Sequence, residues 1–429
     1  MGIETLKQKL LNSKLFKDSS WALIGSVIGK GLSLIAGIAV ARFLGKEIYG
    51  EYGMIKNTLF QIAVFSTLGL GYTGTRFIAY YLESEKEYVR TYIRIIYNIT
   101  IVMSALLACC TFIFSQNIAN YLDVPDTSLA FKFTAFIVIA NALVTAQVGI
   151  LSGFKGFKVI AKNNTLSGIV TFFSSVILTY LYGLYGALAA LLVSMIFNAI
   201  INVFAINREA KGFPRAIKVD RQKYEEIIKF SIPIALQESL YSIVAWSITV
   251  MIIKFADYGE LGLYQAAAQW SSIVLFIPGV LKNVILSYFS SSNDTRKMRK
   301  IMLTINFCAT FIPTLIIGVF SKFITGLYGE SFIGLSPVIL ISCLVSVFAS
   351  IAGVLLYELI SVGRTWASFF FRFFRDVLIL SLCYIVLSRS LFDFHACIIV
   401  VSIQCMVSLL FAAVIYLFVK YKDLKLNQI

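Results

Sequence analysis

Apolar runs of about 20 residues, each bounded by charged or turn-forming residues, recur along the whole chain, a length that carries an α-helix across the hydrocarbon core of a bilayer. The pattern predicts spans at 20–41, 53–72, 92–115, 131–152, 166–181, 185–206, 231–253, 262–286, 301–320, 335–357, 367–387 and 394–419. The runs are continuous stretches of Ile, Leu, Val and Phe without two-residue alternation, so they read as helices and not as barrel strands. Spans five and six are separated only by the turn Tyr182-Gly183-Leu184. Residues 1–18 set Lys7, Lys9, Lys14 and Lys17 against Ile3, Leu6, Leu10, Leu11 and Leu15, the pattern of an interfacial amphipathic helix. No small-residue cleavage site follows a short apolar region there, so a removable signal peptide is not expected.

The twelve spans fall into two sets of six, and the chain carries the trace of a duplication. The stretch Arg42-Phe43-Leu44-Gly45-Lys46-Glu47-Ile48-Tyr49-Gly50-Glu51-Tyr52 recurs in worn form as Lys254-Phe255-Ala256-Asp257-Tyr258-Gly259-Glu260-Leu261-Gly262-Leu263-Tyr264, 212 positions later (254 − 42). Phe43 aligns with Phe255, Gly50 with Gly262 and Tyr52 with Tyr264, while upstream Lys17 and Ser19 align with Lys229 and Ser231. The expected organisation is a six-helix lobe over 1–206, a basic linker over 207–230 containing Pro214, and a second six-helix lobe over 231–429. Halves that begin on the same side of the bilayer imply an axis along the membrane normal with a substrate path between them.

Composition agrees. Of 429 residues, 59% are apolar and only 14% charged, and the mean hydropathy is +0.85, far from the quarter charged that soluble proteins carry. The net charge of +15 does not point to nucleic acid, because no extramembrane stretch is long enough to fold into a basic face. The cations instead fix orientation. Lys155, Lys158 and Lys162, then Arg208, Lys211, Arg215, Lys218, Arg221 and Lys223, then Arg296, Lys297, Arg299 and Lys300, then Lys420, Lys422 and Lys425 gather on one side. The other side holds only Arg42, Lys46, Lys254, Lys322 and Arg389 near its loops, and its longest loop, 116–130, has the acids Asp123 and Asp126 and no cation. Both termini are therefore expected in the cytoplasm.

Seven cysteines, Cys109, Cys110, Cys308, Cys343, Cys383, Cys397 and Cys405, all lie in apolar runs without metal-ligand spacing and read as small hydrophobes. The single histidine, His395, opens the last span without an evident partner, so no metal or relay role is assigned to it. Two glycine patterns are decoys. Gly69-Leu70-Gly71-Tyr72-Thr73-Gly74 fits the dinucleotide fingerprint but ends an apolar span instead of joining a strand to a helix, and Gly25-Ser26-Val27-Ile28-Gly29-Lys30-Gly31 lacks the phosphate-loop spacing. The second reads as a small-residue face for close helix packing. No cofactor or metal is implied.

Charges inside the spans carry the candidate chemistry. Lys30 is mid-span in the first helix, Lys56 early in the second and Lys282 late in the eighth. A lysine at the bilayer centre costs about 2.5–3.5 kcal/mol on the insertion scale, which favours a shared polar cavity over lipid exposure; the alternative for Lys56 and Lys282 is snorkelling to an interface. Lys30 shares a helical face with Ser26, Ser33 and Gly37. Glu238 in span seven lies on a face with Ser242, Ala245 and Thr249, as a coupling-ion or proton site or as the ion-pair partner of a cavity lysine. Arg372, Arg375 and Asp376 interrupt the phenylalanines of span eleven, as a cytoplasmic access site or a snorkelling belt. A cationic cavity between two lobes suits a phosphate-bearing substrate, since charges in a low-dielectric pocket attract anions far more strongly than in water.

Several loose motifs in a specific order carry a family resemblance. Arg42-Phe43-Leu44-Gly45 with Tyr49-Gly50 and Tyr52, Gly69-Leu70-Gly71 with Thr75-Arg76-Phe77, Gly259-Glu260-Leu261-Gly262-Leu263-Tyr264, Leu327-Tyr328-Gly329-Glu330-Ser331-Phe332 and Gly363-Arg364-Thr365 together resemble the polysaccharide flippases of the multidrug/oligosaccharidyl-lipid/polysaccharide exporter superfamily. The resemblance implies an all-α integral membrane protein of two six-helix bundles in a V. It implies alternating access and transfer of an undecaprenyl-diphosphate-linked oligosaccharide from the cytoplasmic to the outer leaflet of the bacterial inner membrane. It further implies a diphosphate-binding role for Lys30, Lys56 and Lys282, which are lysines where arginine is common in the family, so the bidentate contact is missing. The two additional C-terminal spans of the peptidoglycan-precursor branch are missing too, which favours O-antigen or capsule repeat units as cargo. A proton or sodium ion as coupling ion and a polysaccharide polymerase as partner are further expectations. The rivals are a multidrug cation antiporter of the same superfamily, which needs acids in place of these lysines, and a membrane polysaccharide polymerase, which needs paired carboxylates in an outer loop.

Overall fold

A computed structural model describes residues 14–67, 69–215, 221–279, 281, 295–361, 364–389 and 395–426. Among them every regular element is helical: α1 (Lys14–Thr67), α2 (Leu70–Glu83), α3 (Val89–Ile113), α4 (Ser115–Tyr121), α5 (Ser128–Gly153), α6 (Phe157–Glu209), α7 (Arg221–Phe255), α8 (Tyr258–Val274), α9 (Thr295–Val319), α10 (Ser321–Tyr328), α11 (Leu335–Ser361), α12 (Thr365–Ser388) and α13 (Ala396–Leu426). The described residues contain seven helical stretches long and apolar enough to cross a membrane. Two of these, Val27–Glu83 and Phe157–Gly212, are 57 and 56 residues long, more than twice the length one crossing needs. Each is broken at a glycine, Gly45 (φ 75°) and Gly183 (φ 55°), in backbone that only glycine enters without strain. The predicted turn at Tyr182-Gly183-Leu184 is this break.

The predicted ends move in three places. Span two does not stop at Tyr72: α1 ends at Thr67, and α2 restarts on Gly69 and runs on to Glu83. The stretch 116–130, expected as an outer loop, carries most of the short helix α4. The tenth span extends past Tyr357 to Ser361, which brings Glu358 inside the helix. Apolar run length marks where a helix is greasy, whereas backbone hydrogen bonding carries it on through polar residues.

By packing, the chain divides into two compact units, Met1–Phe43 with Met54–Trp246, and Leu44–Gly53 with Ser247–Ile429. The core of the first gathers Leu70, Phe77, Tyr92, Ile96, Ile150 and Ile206 from α2, α3, α5 and α6. Its helices approach closely through glycines. A Cβ on Gly149 of α5 would lie 2.1 Å from the Gly71 carbonyl of α2, and one on Gly29 of α1 would lie 2.8 Å from the Asn164 carbonyl of α6. Both glycine decoys of the sequence are thus helix-packing faces. In the second unit Leu355, Leu356 and Leu359 of α11 pack on Ala412, Ile415 and Val419 of α13.

Candidate functional site

The duplicated motif folds into two elbows that seat on each other. Both break the helix at the same repeat position: in the first copy at Gly45, in the second at Asp257, 212 positions on, where extended backbone begins α8 and the carboxylate accepts the Glu260 amide at 2.8 Å. A Cβ on Gly50 would lie 1.9 Å from the Tyr258 carbonyl, and one on Gly262 would lie 2.0 Å from the Lys46 carbonyl. Gly50 and Gly262 are equivalent positions, as are Lys46 and Tyr258. The two contacts are therefore one contact repeated by an internal two-fold axis, within the second unit. Gly53 lies against its own equivalent, Gln265, where the added carbon would be 2.7 Å from Cγ.

The motif at 327–332 closes the same cluster. Gln269 of α8 donates to the Tyr49 hydroxyl, Trp270 Nε1 donates to the Tyr328 hydroxyl at 3.0 Å, and the rings of Tyr49 and Tyr328 lie 6.0 and 5.2 Å from that of Phe332. Three of the motifs that carried the family resemblance thus meet in space. His395, left without a partner by the sequence, has one. Its Nδ1 lies 2.5 Å from Oε1 of Glu260, and the other carboxylate oxygen accepts the Cys397 amide at 3.0 Å. The partners are 135 residues apart, so local pattern could not pair them.

In the first unit, Lys30 is exposed on α1 and Ser33 beside it back-bonds to the Gly29 carbonyl at 2.9 Å. Lys56 is half-buried beyond the elbow, its ammonium 5.8 Å from the Phe60 ring centre. The same stretch of α1 is joined to α7 by polar contacts: Trp246 Nε1 donates to Thr58 at 3.0 Å, and Ser242 donates to Gln61 Oε1. Gln61 Nε2 is buried with no partner among the described residues. Glu238 belongs to α7 one helical turn before Ser242; its side chain and all of Lys282 lie outside the described residues.

On α12, Arg375 is charge-paired with its neighbour Asp376, at 2.9 and 2.6 Å to one carboxylate oxygen, while Arg372 is half-buried. Arg299, counted by the sequence among cytoplasmic loop charges, is instead buried in α9 and donates to both carboxylate oxygens of Glu358 of α11, at 2.7 and 2.6 Å. This bidentate pair was hidden because Glu358 fell beyond the predicted end of its span.

Comparison with known proteins follows the same lines. Residues 15–292 match the family model described as polysaccharide biosynthesis protein. An uncharacterized membrane protein of Methanocaldococcus jannaschii is 23% identical over 306 residues, 67% of this chain and 70% of that one. The fold is that of a multidrug resistance MATE family transporter of the MOP superfamily in its inward-facing conformation (TM-score 0.76, 15% identity, 95% of this chain and 99% of that one). The lipid II flippase MurJ in an inward closed conformation is similar as well (TM-score 0.73, 16% identity, 91% and 86%).

Proposed function

The chain belongs to the polysaccharide biosynthesis protein family, and from that premise we propose that it is a flippase for undecaprenyl-diphosphate-linked oligosaccharide, not an enzyme. It moves O-antigen or capsule repeat units from the cytoplasmic to the outer leaflet of the bacterial inner membrane by alternating access, with both termini in the cytoplasm. In this reading the chain is two six-helix lobes, 1–206 and 231–429, joined by the 207–230 linker. In the same reading the reciprocal elbows lie on the outer side.

The observation that carries the substrate class is the placing of Lys30 and Lys56 on one kinked helix, on either side of the Gly45 elbow. Cations held in membrane-spanning segments mark a path for an anion, and the buried Gln61 amide adds a donor within two turns of Lys56. The family resemblance gives the same diphosphate-binding role to Lys282, predicted in the eighth span and outside the described residues. Lysines bind phosphate as point charges and not as forks, which suits a headgroup that must be released after each turnover. Arg372, with the Arg375–Asp376 pair beside it, is the cytoplasmic access point. Glu238, one helical turn before Ser242 along α7, is the proton-coupling carboxylate. The likeness to a multidrug transporter concerns the fold, and cationic drugs would be repelled by these lysines.

The test is export of surface glycan. Lys30→Ala and Lys282→Ala abolish it at normal protein level, and arginine at either position restores part of it. In proteoliposomes, Glu238→Gln binds cargo but no longer responds to a pH gradient. Full export by both alanine variants would remove the lysines from the mechanism.

A further inference from the structure

Arg76 is a cation inside a membrane helix that no transport step above uses. The sequence placed it beyond the second span, but α2 carries the helix on to Glu83. Arg76 therefore stands seven residues (83 − 76), about 10 Å, short of that end. Glu83, the acid of α2, is exposed and already paired with Lys155 at 3.0 Å, so it does not neutralise the arginine. A cation held in a spanning segment is costly and marks a ligand or a polar path. The guanidinium of Arg76 lies 4.1 Å from the Phe230 ring centre of α7 and 5.9 Å from that of Phe77. Among the described residues no protein oxygen accepts from it. Stacking engages the flat face of the group and leaves its edge, with the parallel N–H donors, open to an anion.

Tyr72, Arg76 and Tyr80 follow one another at one-turn spacing and form a single exposed row on α2, the tyrosines 53% and 63% exposed. The row borders the contact with α7. There the hydroxyls of Thr73 and Ser231 share a buried hydrogen bond at 2.7 Å, and the rings of Phe77 and Phe230 meet edge to face at 5.8 Å. On its other side α2 is closed against α5, where a Cβ on Gly71 or Gly74 would lie 3.3 Å from Thr145 or Ile150. All these residues belong to the first unit, so the row is held in register by its own packing. We propose that the row recognises the junction of a lipid-linked glycan, with Tyr72 against the prenyl chain, Arg76 on the phosphate and Tyr80 against the first sugar. The inference rests on the flippase reading for the identity of the lipid, while the row itself stands on the geometry. The order follows from depth: Tyr72 is furthest from the polar end of α2 and Tyr80 nearest to it, as chain and sugar are on either side of the phosphate. Each step along the row is about 6 Å, close to the length of one sugar ring. A tyrosine presents an apolar ring face to the C–H face of a sugar and a hydroxyl to its edge. Arg76 also supplies the bidentate fork that Lys30, Lys56 and Lys282 do not. A bilayer phospholipid shares the chain and the phosphate but brings no sugar ring to Tyr80, so the tyrosine separates the two sources.

The experiment measures binding of radiolabelled lipids to the full chain in phosphatidylcholine nanodiscs. The probes are undecaprenyl diphosphate carrying one N-acetylglucosamine and undecaprenyl diphosphate without sugar, with a large excess of phosphatidylglycerol as competitor. Arg76→Ala and the longer neutral variant Arg76→Gln weaken both probes by about ten- to a hundredfold, and Arg76→Lys restores only part of the loss because it lacks the fork. Tyr80→Ala weakens the sugar-bearing probe by about three- to tenfold and the sugarless one much less. Unchanged thermal unfolding of Arg76→Gln shows that its loss is not misfolding. Full binding by Arg76→Gln overturns the site, and full binding by Arg76→Lys overturns the fork. Equal loss of both probes in Tyr80→Ala, or displacement of the sugar-bearing probe by phosphatidylglycerol, makes the row a bulk-lipid contact and overturns the glycan assignment. Flipping of the sugar-bearing probe in proteoliposomes separates the two ideas. A parent protein that binds this probe through Arg76 but does not move it supports the site and sinks the flippase reading. One that moves it while Arg76→Gln binds as the parent does sinks the site alone, and a parent that binds neither probe sinks both.

Discussion

Gly50→Ala is the sharpest perturbation the structure offers, because the atom it adds has nowhere to go. The new Cβ would stand 1.9 Å from the Tyr258 carbonyl oxygen, against 3.4 Å for the near edge of ordinary contact, so the elbows must part by about 1.5 Å (3.4 − 1.9). The obstacle is backbone on a capped helix, not the end of a flexible side chain. The cost therefore belongs at the upper end of the overpacking range, about 3 kcal/mol, which is on the order of a 150-fold shift in the balance between seated and separated elbows. Gly262→Ala, whose Cβ meets the Lys46 carbonyl at 2.0 Å, costs the same by the internal symmetry. The double variant costs much less than the sum, because the first substitution already separates the surfaces. The assay is the distance between nitroxides at the exposed positions Ile48 and Phe255, both in the second unit, together with thermal unfolding of the purified protein. Gly31→Ala is the control, since nothing lies within 4 Å of its added carbon, and alanine in a helix interior stabilises by about 0.5–1 kcal/mol over glycine. If Gly50→Ala keeps the parent's short-distance population, or if the two single effects simply add, the reciprocal seat is not what joins the elbows.

Two further expectations follow from charge placement. Removing one partner of the buried Arg299–Glu358 pair, as in Glu358→Ala, leaves an uncompensated charge and costs about 3–5 kcal/mol, whereas the double change Arg299→Met with Glu358→Leu is close to neutral; thermal half-lives of the purified variants check this, and equal loss in single and double variants would contradict it. Single cysteines placed in 116–130 react with a membrane-impermeant thiol reagent from outside and those in 207–223 do not; reversed labelling would overturn the orientation, and labelling of both would undo the span count.

Apolar run length, loop charge and internal repetition depend only on the order of residues, and they made the all-helical membrane fold legible from the chain alone. Transfer of each run into lipid is a sum over its own side chains, and a helix satisfies its own backbone, so neither needs a distant partner. The elbow motif was legible too, as a repeat, and Gly183 as a break. Which surfaces those repeats would join was not. That Gly50 and Gly262 seat on each other's copy, that Glu260 holds His395 across 135 residues, and that Arg299 turns inward to Glu358 instead of facing the cytoplasm are all settled by which helix faces come within a few ångströms. A single sequence does not encode such distances in any local pattern. The lysines stand between the two cases: their presence in the spans is read from the chain, while their surroundings belong to the packing of helices around them. The order of residues determined what each segment is, and the tertiary structure decided which segments touch, because burial is local and contact is not.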